Sequence, residues 1–172
     1  MTRKALTHAV ARGMGMLGTA AAGLSVTLLA LIFLTLIAEL VSRNLLGHSL
    51  AGSWELAAYM MAAMFCLALT PALLADTHVR VRLLASALPP RALWLAEAAV
   101  LVIAISVTAY AARALANLAL TSLARGTKSW ELAMPMAIPQ AAVALGMALF
   151  CLGFLGRFLL LMLDPARMPE DA

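Results

Sequence analysis

Charged residues divide the chain into long apolar stretches. No Asp, Glu, Lys or Arg occurs from Gly13 to Ala38, from Leu56 to Ala75 or from Leu132 to Gly156. A fourth stretch, Ala98 to Ala112, is shorter, but apolar sequence extends it on both sides, from Ala92 to Ala96 and from Ala114 to Ala124. A helix needs about 20 mostly apolar residues to cross the hydrocarbon core of a bilayer, and each stretch supplies them. The pattern predicts four helices near 15–41, 55–75, 92–117 and 131–160 within a single membrane domain, residues 1–172. The expected fold class is an all-α integral membrane protein with four transmembrane helices. The first apolar run is longer than the ~7–15 residues of a cleavable signal. Arg3, Lys4 and Arg12 precede it, so it reads as a helix that stays in the membrane.

Composition points the same way. Of 172 residues, 65% are hydrophobic and 12% charged, against ~25% charged in a typical soluble domain. Mean hydropathy is +0.99. These values exclude a soluble enzyme, a disordered chain and a disulfide scaffold. The formal net charge of +4 comes from cations scattered along the chain, without a basic stripe. It suits contact with anionic membrane lipid and not with nucleic acid. With four spans, the N-terminal segment, the loop between helices 2 and 3 and the C-terminal end share one side. That side holds eight cations: Arg3, Lys4, Arg12, Arg80, Arg82, Arg91, Arg157 and Arg167. The other side holds four: Arg43, Arg113, Arg125 and Lys128. The excess of positive charge on the cytoplasmic side of membrane proteins then places both termini in the cytoplasm.

The pentapeptide Ser-Trp-Glu-Leu-Ala occurs twice, beginning at Ser53 and at Ser129. Each copy precedes an apolar stretch on the non-cytoplasmic side. Each Ser is positioned to cap a helix, each Glu to sit in a first turn where the helix dipole favours an anion, and each Trp to lie at headgroup depth. Trp54, Glu55, Trp130 and Glu131 are therefore anchoring or interface candidates, and Arg125 and Lys128 on the preceding loop join them. Two tandem hairpins of common origin would explain the repeat, and so would convergence of two helix starts on cap, Trp and acid. Pro71 falls late in helix 2. Pro135 is close enough to the start of helix 4 to be tolerated, whereas Pro139 predicts a kink. In the loop between helices 2 and 3, His78, Arg80 and Arg82 alternate with apolar residues. This suits an interfacial segment over about 78–88 whose Arg heads reach lipid phosphate, ended by Pro89-Pro90.

Glu97 and Arg113 are spaced to lie near opposite interfaces on helix 3. Glu39 and Arg43 are placed for an i,i+4 pair. All three His residues fall outside the spans, which excludes a haem held between helices. Cys66 and Cys151 sit at different depths, so no disulfide is expected. No phosphate loop, His-Glu-x-x-His or Ser-His-Asp arrangement occurs. The chain reads as lacking catalytic, metal and cofactor sites. Small residues such as Gly18 with Ala22, Ala58 with Ala62, Gly146, Gly153 and Gly156 have spacings that allow helices to approach closely.

Taken together, these motifs resemble the small membrane subunit of the tripartite ATP-independent periplasmic (TRAP) transporters, the DctQ-type or Q subunit. The resemblance rests on Trp54-Glu55 followed by Tyr59, on His78-Val79-Arg80-Val81 and Leu88-Pro89-Pro90, and on Pro135, Pro139 and Gly146 in the last span. It covers about residues 15 to 163. Arg82 departs from the family, which often has an acid there. The resemblance implies a non-enzymatic scaffold in the bacterial inner membrane. Its implied partners are a large permease subunit that carries the solute with a cation and a periplasmic solute-binding protein that delivers an organic acid. The residues alone leave open the small subunit of a tripartite tricarboxylate transporter. They also leave open a self-sufficient homodimeric exporter, which would need Glu39 or Glu97 as a membrane-embedded acid.

Overall fold

The computed structural model describes residues 3–75 and 89–163. Helix α1 spans Arg3–Val41 and passes into a π-helical turn, Ser42–Leu46. Helix α2 spans Ser53–Leu74, α3 spans Pro90–Ala124 and α4 spans Ala137–Leu163. All four are long and apolar enough to cross a membrane. Among the described residues the only extended pairing is an isolated bridge between Lys128 and Pro135. The chain is an all-α, four-helix, multi-pass membrane protein.

Helix ends depart from the apolar pattern where helix propensity and apolarity part company. Helix α1 begins at Arg3, well before the apolar run, because Ala5 to Ala11 contains good helix formers and no breaker. Helix α3 continues to Ala124 through Ala- and Leu-rich sequence and stops just before Gly126, at φ +61. At ~1.5 Å per residue, the 39 residues of α1 and the 35 of α3 exceed the ~30 Å hydrocarbon core, so both helices tilt or extend past it. Helix α4 begins at Ala137 and not near 131. A residue before proline is pushed out of the helical region, and Pro135 and Pro139 together delay the start. Pro139 is the third residue of α4, within the first turn, where a missing N–H leaves no intrahelical partner unmatched. The kink expected there does not arise. Pro71 does lie inside α2, and the carbonyl of Leu67 loses its helical donor.

Helix α1 packs along α2, α2 crosses to α4, and α1 also meets α4. Helix α3 leans chiefly on α4. The guanidinium of Arg3 donates to the carbonyl of Met162 at 3.1 Å, so the start of α1 and the end of α4 share the termini end of the molecule. The opposite, loop end contains the turns between α1 and α2 and between α3 and α4. Small residues make the helix contacts. A Cβ on Gly146 would lie 2.7 Å from Cys66 Cβ and 2.8 Å from the Cys66 carbonyl carbon, so α4 touches α2 backbone to backbone. Further along α4, Gly153 faces Leu73 and Gly156 faces Met14, while Gly18 of α1 faces Leu74. Close approach of this kind is how apolar helices gain van der Waals contact in lipid, where burial from water offers nothing. Cys66 and Cys151 are free thiols.

Candidate functional site: two carboxylate clasps at the loop end

The turn after α1 is organised by Glu39, which is 2% exposed. Arg43 Nη2 lies 3.0 Å from its Oε1, the i,i+4 pair expected from the spacing. Two further donors come from beyond the helix. Ser49 Oγ donates to Oε1 at 2.5 Å and the Leu50 backbone N–H to Oε2 at 2.7 Å. Ser42 Oγ donates to the His48 carbonyl at 2.8 Å. The carboxylate therefore ties the returning chain to the last turn of α1. Backbone N–H groups near lipid have no water to satisfy them, and Glu39 supplies the acceptor.

The second clasp joins the two copies of Ser-Trp-Glu-Leu-Ala. Glu55 lies in the first turn of α2, as its spacing predicts. Its Oε1 accepts from the Tyr59 hydroxyl at 2.6 Å and the Trp130 N–H at 3.2 Å. Its Oε2 accepts from the N–H groups of Glu131 at 3.0 Å and Leu132 at 3.1 Å. Three consecutive backbone N–H groups thus converge on one carboxylate, the arrangement that backbone nests use to hold anions. Tyr59 Oη also lies 3.2 Å from Met136 Sδ. Gly52, at φ +78, precedes α2, and a Cβ there would lie 2.5 Å from Leu132 Cγ. The backbone of the first copy is thereby packed under a side chain of the second.

The second copy does not start a helix. The Ser129 N–H donates to the Met134 carbonyl at 2.8 Å, and the Met136 N–H donates to the Thr127 carbonyl at 3.0 Å. The Met134 N–H donates to Ser129 Oγ at 3.2 Å. Residues 127–136 form a narrow hairpin with Trp130, Glu131 and Leu132 at its tip, closed by Ala133 at φ +51. Ser129 therefore braces the hairpin instead of capping α4, and Glu131 is exposed on the tip, away from any first turn. Nor does Ser53 cap α2. Gly52 holds the cap position without a side-chain bond.

The structure brings Trp54, Glu55, Trp130, Glu131, Arg125 and Lys128 to the loop end. Trp130 is 96% exposed and Trp54 60%, and Arg125 and Lys128 are exposed beside the hairpin. His78, Arg80 and Arg82, with the interfacial segment about 78–88, lie outside the described residues. Missing from the sequence reading were Tyr59, Gly52 and Leu132 as parts of one clasp, and Ser49 as a partner of Glu39. The signal for the hairpin was present in Met134-Pro135, which disfavours an uninterrupted helix from Glu131 onward.

Along α3 and α4, an open groove of about 560 Å³ is lined by Trp94, Leu95, Val102, Ile103, Phe158 and Met162, among other apolar residues. It offers a polar solute almost no partner. Among the described residues, no three His, Cys, Asp or Glu side chains are grouped to hold a metal ion.

The family model described as tripartite ATP-independent periplasmic transporters, DctQ component, matches residues 32–164. Comparisons with curated proteins and with solved structures returned no match. The matched segment contains both clasps, the hairpin and every described residue of α2, α3 and α4. It covers well over half of the chain, and the chain belongs to the DctQ component family, a transporter component and not an enzyme family.

Proposed function

We propose that this protein is the small scaffold subunit of a TRAP transporter in the bacterial inner membrane. It supports a large permease subunit in cation-coupled uptake of an organic acid that a periplasmic binding protein delivers. The observation that carries this reading is the state of Glu39, one of the two acids, with Glu97, that an exporter could use. A self-sufficient exporter would need a carboxylate free to bind and release a cation within the membrane. Glu39 is saturated by Arg43, Ser49 and Leu50, and Glu55 by Tyr59 and three backbone N–H groups. Both are structural clasps. The apolar groove between α3 and α4 adds no solute path. The chain's role is therefore to hold and present, and the moving parts belong to its partner.

Purified protein alone in liposomes is expected to move no solute under a sodium or proton gradient. Uptake is expected only when the large permease and the binding protein are added. Robust gradient-driven flux from this chain alone would overturn the scaffold reading.

On this reading the termini are cytoplasmic and the loop end is periplasmic, as the charge excess predicts. Reporter fusions after Gly47 and after Gly126 are expected to report periplasm, and a fusion after Ser86 cytoplasm. A cytoplasmic signal from the Gly126 fusion would reverse the assignment of the loop end.

A further inference from the structure

Helix α3 carries a line of polar residues along one exposed side. Ser106, Tyr110, Arg113, Asn117 and Thr121 are all exposed, Tyr110 at 78%. Successive members are three or four positions apart, so they share one helix face. Ser106 and Thr121 donate to the carbonyls of Val102 and Asn117 on their own helix, each at 2.8 Å. The side chains of Tyr110, Arg113 and Asn117 have no hydrogen-bond or ion-pair partner among the described residues.

Contacts between helices set the depth of this face. Cys151 Sγ of α4 lies 3.8 Å from the Ile105 carbonyl of α3. Two residues further along α4, Gly153 faces Thr70 and Leu73 of α2. Ile105 is therefore level with the last turns of α2. Helix α3 rises from there toward the loop end, and Arg113 lies about 12 Å further along. Helix α2 has 22 residues and a length of about 33 Å, just enough to cross the hydrocarbon core. Arg113 is then near the level of Ala63, halfway along α2, and deeper than its spacing from Glu97 suggests. On the turns beyond it Leu118, Leu120 and Leu123 are exposed, as suits a helix still in an apolar medium and not one standing in water.

Acyl chains offer neither acceptor nor counter-ion, and ionisable side chains at such depth turn to protein or to a water-filled cavity. The exposed Thr19 and Thr27 of α1 make no such demand, because each donates back to its own helix at 2.9 Å. A second copy of this chain is a poor cover for the stripe. Two copies inserted in the same orientation would meet about a two-fold axis and set Arg113 against Arg113. The charge calls for an acid from a different chain.

We propose that this stripe of α3 is the seam on which a membrane-spanning helix of the large permease subunit packs. A carboxylate of that helix pairs with Arg113, and hydrogen-bonding side chains meet Tyr110 and Asn117. This seam rests on the scaffold role proposed above and adds to it the helix, the face and the chemistry of the contact. Arg113 suits the task because its planar fork takes a carboxylate through two parallel hydrogen bonds. An ion pair out of water also fixes the register of two otherwise apolar helices.

The test uses the small subunit co-expressed with a tagged large permease. The fraction of small subunit retained on the permease is followed through a dilution series in detergent. Arg113→Leu is expected to weaken retention by about tenfold or more, and Arg113→Lys, which keeps the charge and loses the fork, to recover part of it. Neither side chain contacts the rest of the chain through a polar bond, so each variant alone is expected to remain monodisperse. In membranes, a photoreactive phenylalanine analogue placed at position 110 is expected to form its covalent product with the permease. Wild-type retention of Arg113→Leu, or a product at position 110 made only with lipid or with a second copy, would overturn the seam while the complex itself still forms. A wild-type chain that forms no complex with the permease would overturn the scaffold role and the seam with it, so the two failures are distinguishable.

Discussion

Gly146→Val is expected to abolish the folded chain. A Cβ at this position would meet Cys66 Cβ at 2.7 Å, the Cys66 carbonyl carbon at 2.8 Å and the Leu67 nitrogen at 2.9 Å. Two of these three atoms belong to the backbone of α2, so no rotamer change relieves the overlap and the helices must separate. Overpacking typically costs about 1–3 kcal/mol, and a backbone obstacle together with the two methyl groups of Val places this case at the upper end or beyond. The loss falls on the contact that joins the two helix hairpins. Gly23→Ala on α1 is the control, because nothing lies within 4 Å of a Cβ there. It is expected to be neutral or to stabilise by about 0.5–1 kcal/mol through helix propensity. The measurement is the monodisperse fraction in detergent, followed by thermal unfolding. A Gly146→Val protein with wild-type behaviour would show that α2 and α4 do not touch through their backbones.

Gly52→Val is expected to have the next largest effect, through two separable causes. The residue has φ +78, where a residue with a side chain pays about 1–2 kcal/mol and a β-branched one more. Its side chain would also overlap Leu132, whose Cγ and Cδ2 lie 2.5 and 2.6 Å from the added Cβ. Together these predict a loss of about 2–4 kcal/mol. The double variant Gly52→Val with Leu132→Ala removes the overlap and keeps the strain, so it is expected to recover part of the loss. A double-mutant cycle isolates the coupling. Cleavage by trypsin after Lys128 gives a local readout, since freeing Leu132 loosens the hairpin. A cycle with zero coupling energy would mean that the two residues do not pack on each other.

What the sequence disclosed follows from what the bilayer demands. The hydrocarbon core imposes a length and an apolarity on every span, so charge-free stretches located all four helices. The same argument failed to find where α1 begins and α3 ends, because a helix outside the core obeys propensity and not hydropathy. The Glu39–Arg43 pair was legible because helical spacing is local. Ser49 and Leu50 were not, since they reach Glu39 only after the chain reverses beyond Gly47, whose φ of +74 no pattern announces. The repeat was the strongest motif, and its symmetry misled. Two identical pentapeptides invite two identical roles, yet Pro135 and Pro139 delay the helix to Ala137 and leave the second copy outside it. That leaves three N–H groups without intrahelical acceptors, and the first copy's Glu55 fills the deficit. A pairing between residues 75 to 77 positions apart is a property of the folded chain, and no local spacing encodes it.

Helix α3 rests chiefly on α4 while α1, α2 and α4 gather into a cluster, so α3 stands to one side. A closed bundle of four helices would have the smallest girth for its mass. This layout gives an 18.1 kDa chain a broad footprint in the plane of the membrane instead. Viscous drag against turning in a bilayer grows steeply with lateral reach and only weakly with mass. Fixed to a larger body, a flank shaped in this way acts as an outrigger. On the scaffold role proposed above, it adds resistance to turning of the assembled complex, and it does so through geometry alone.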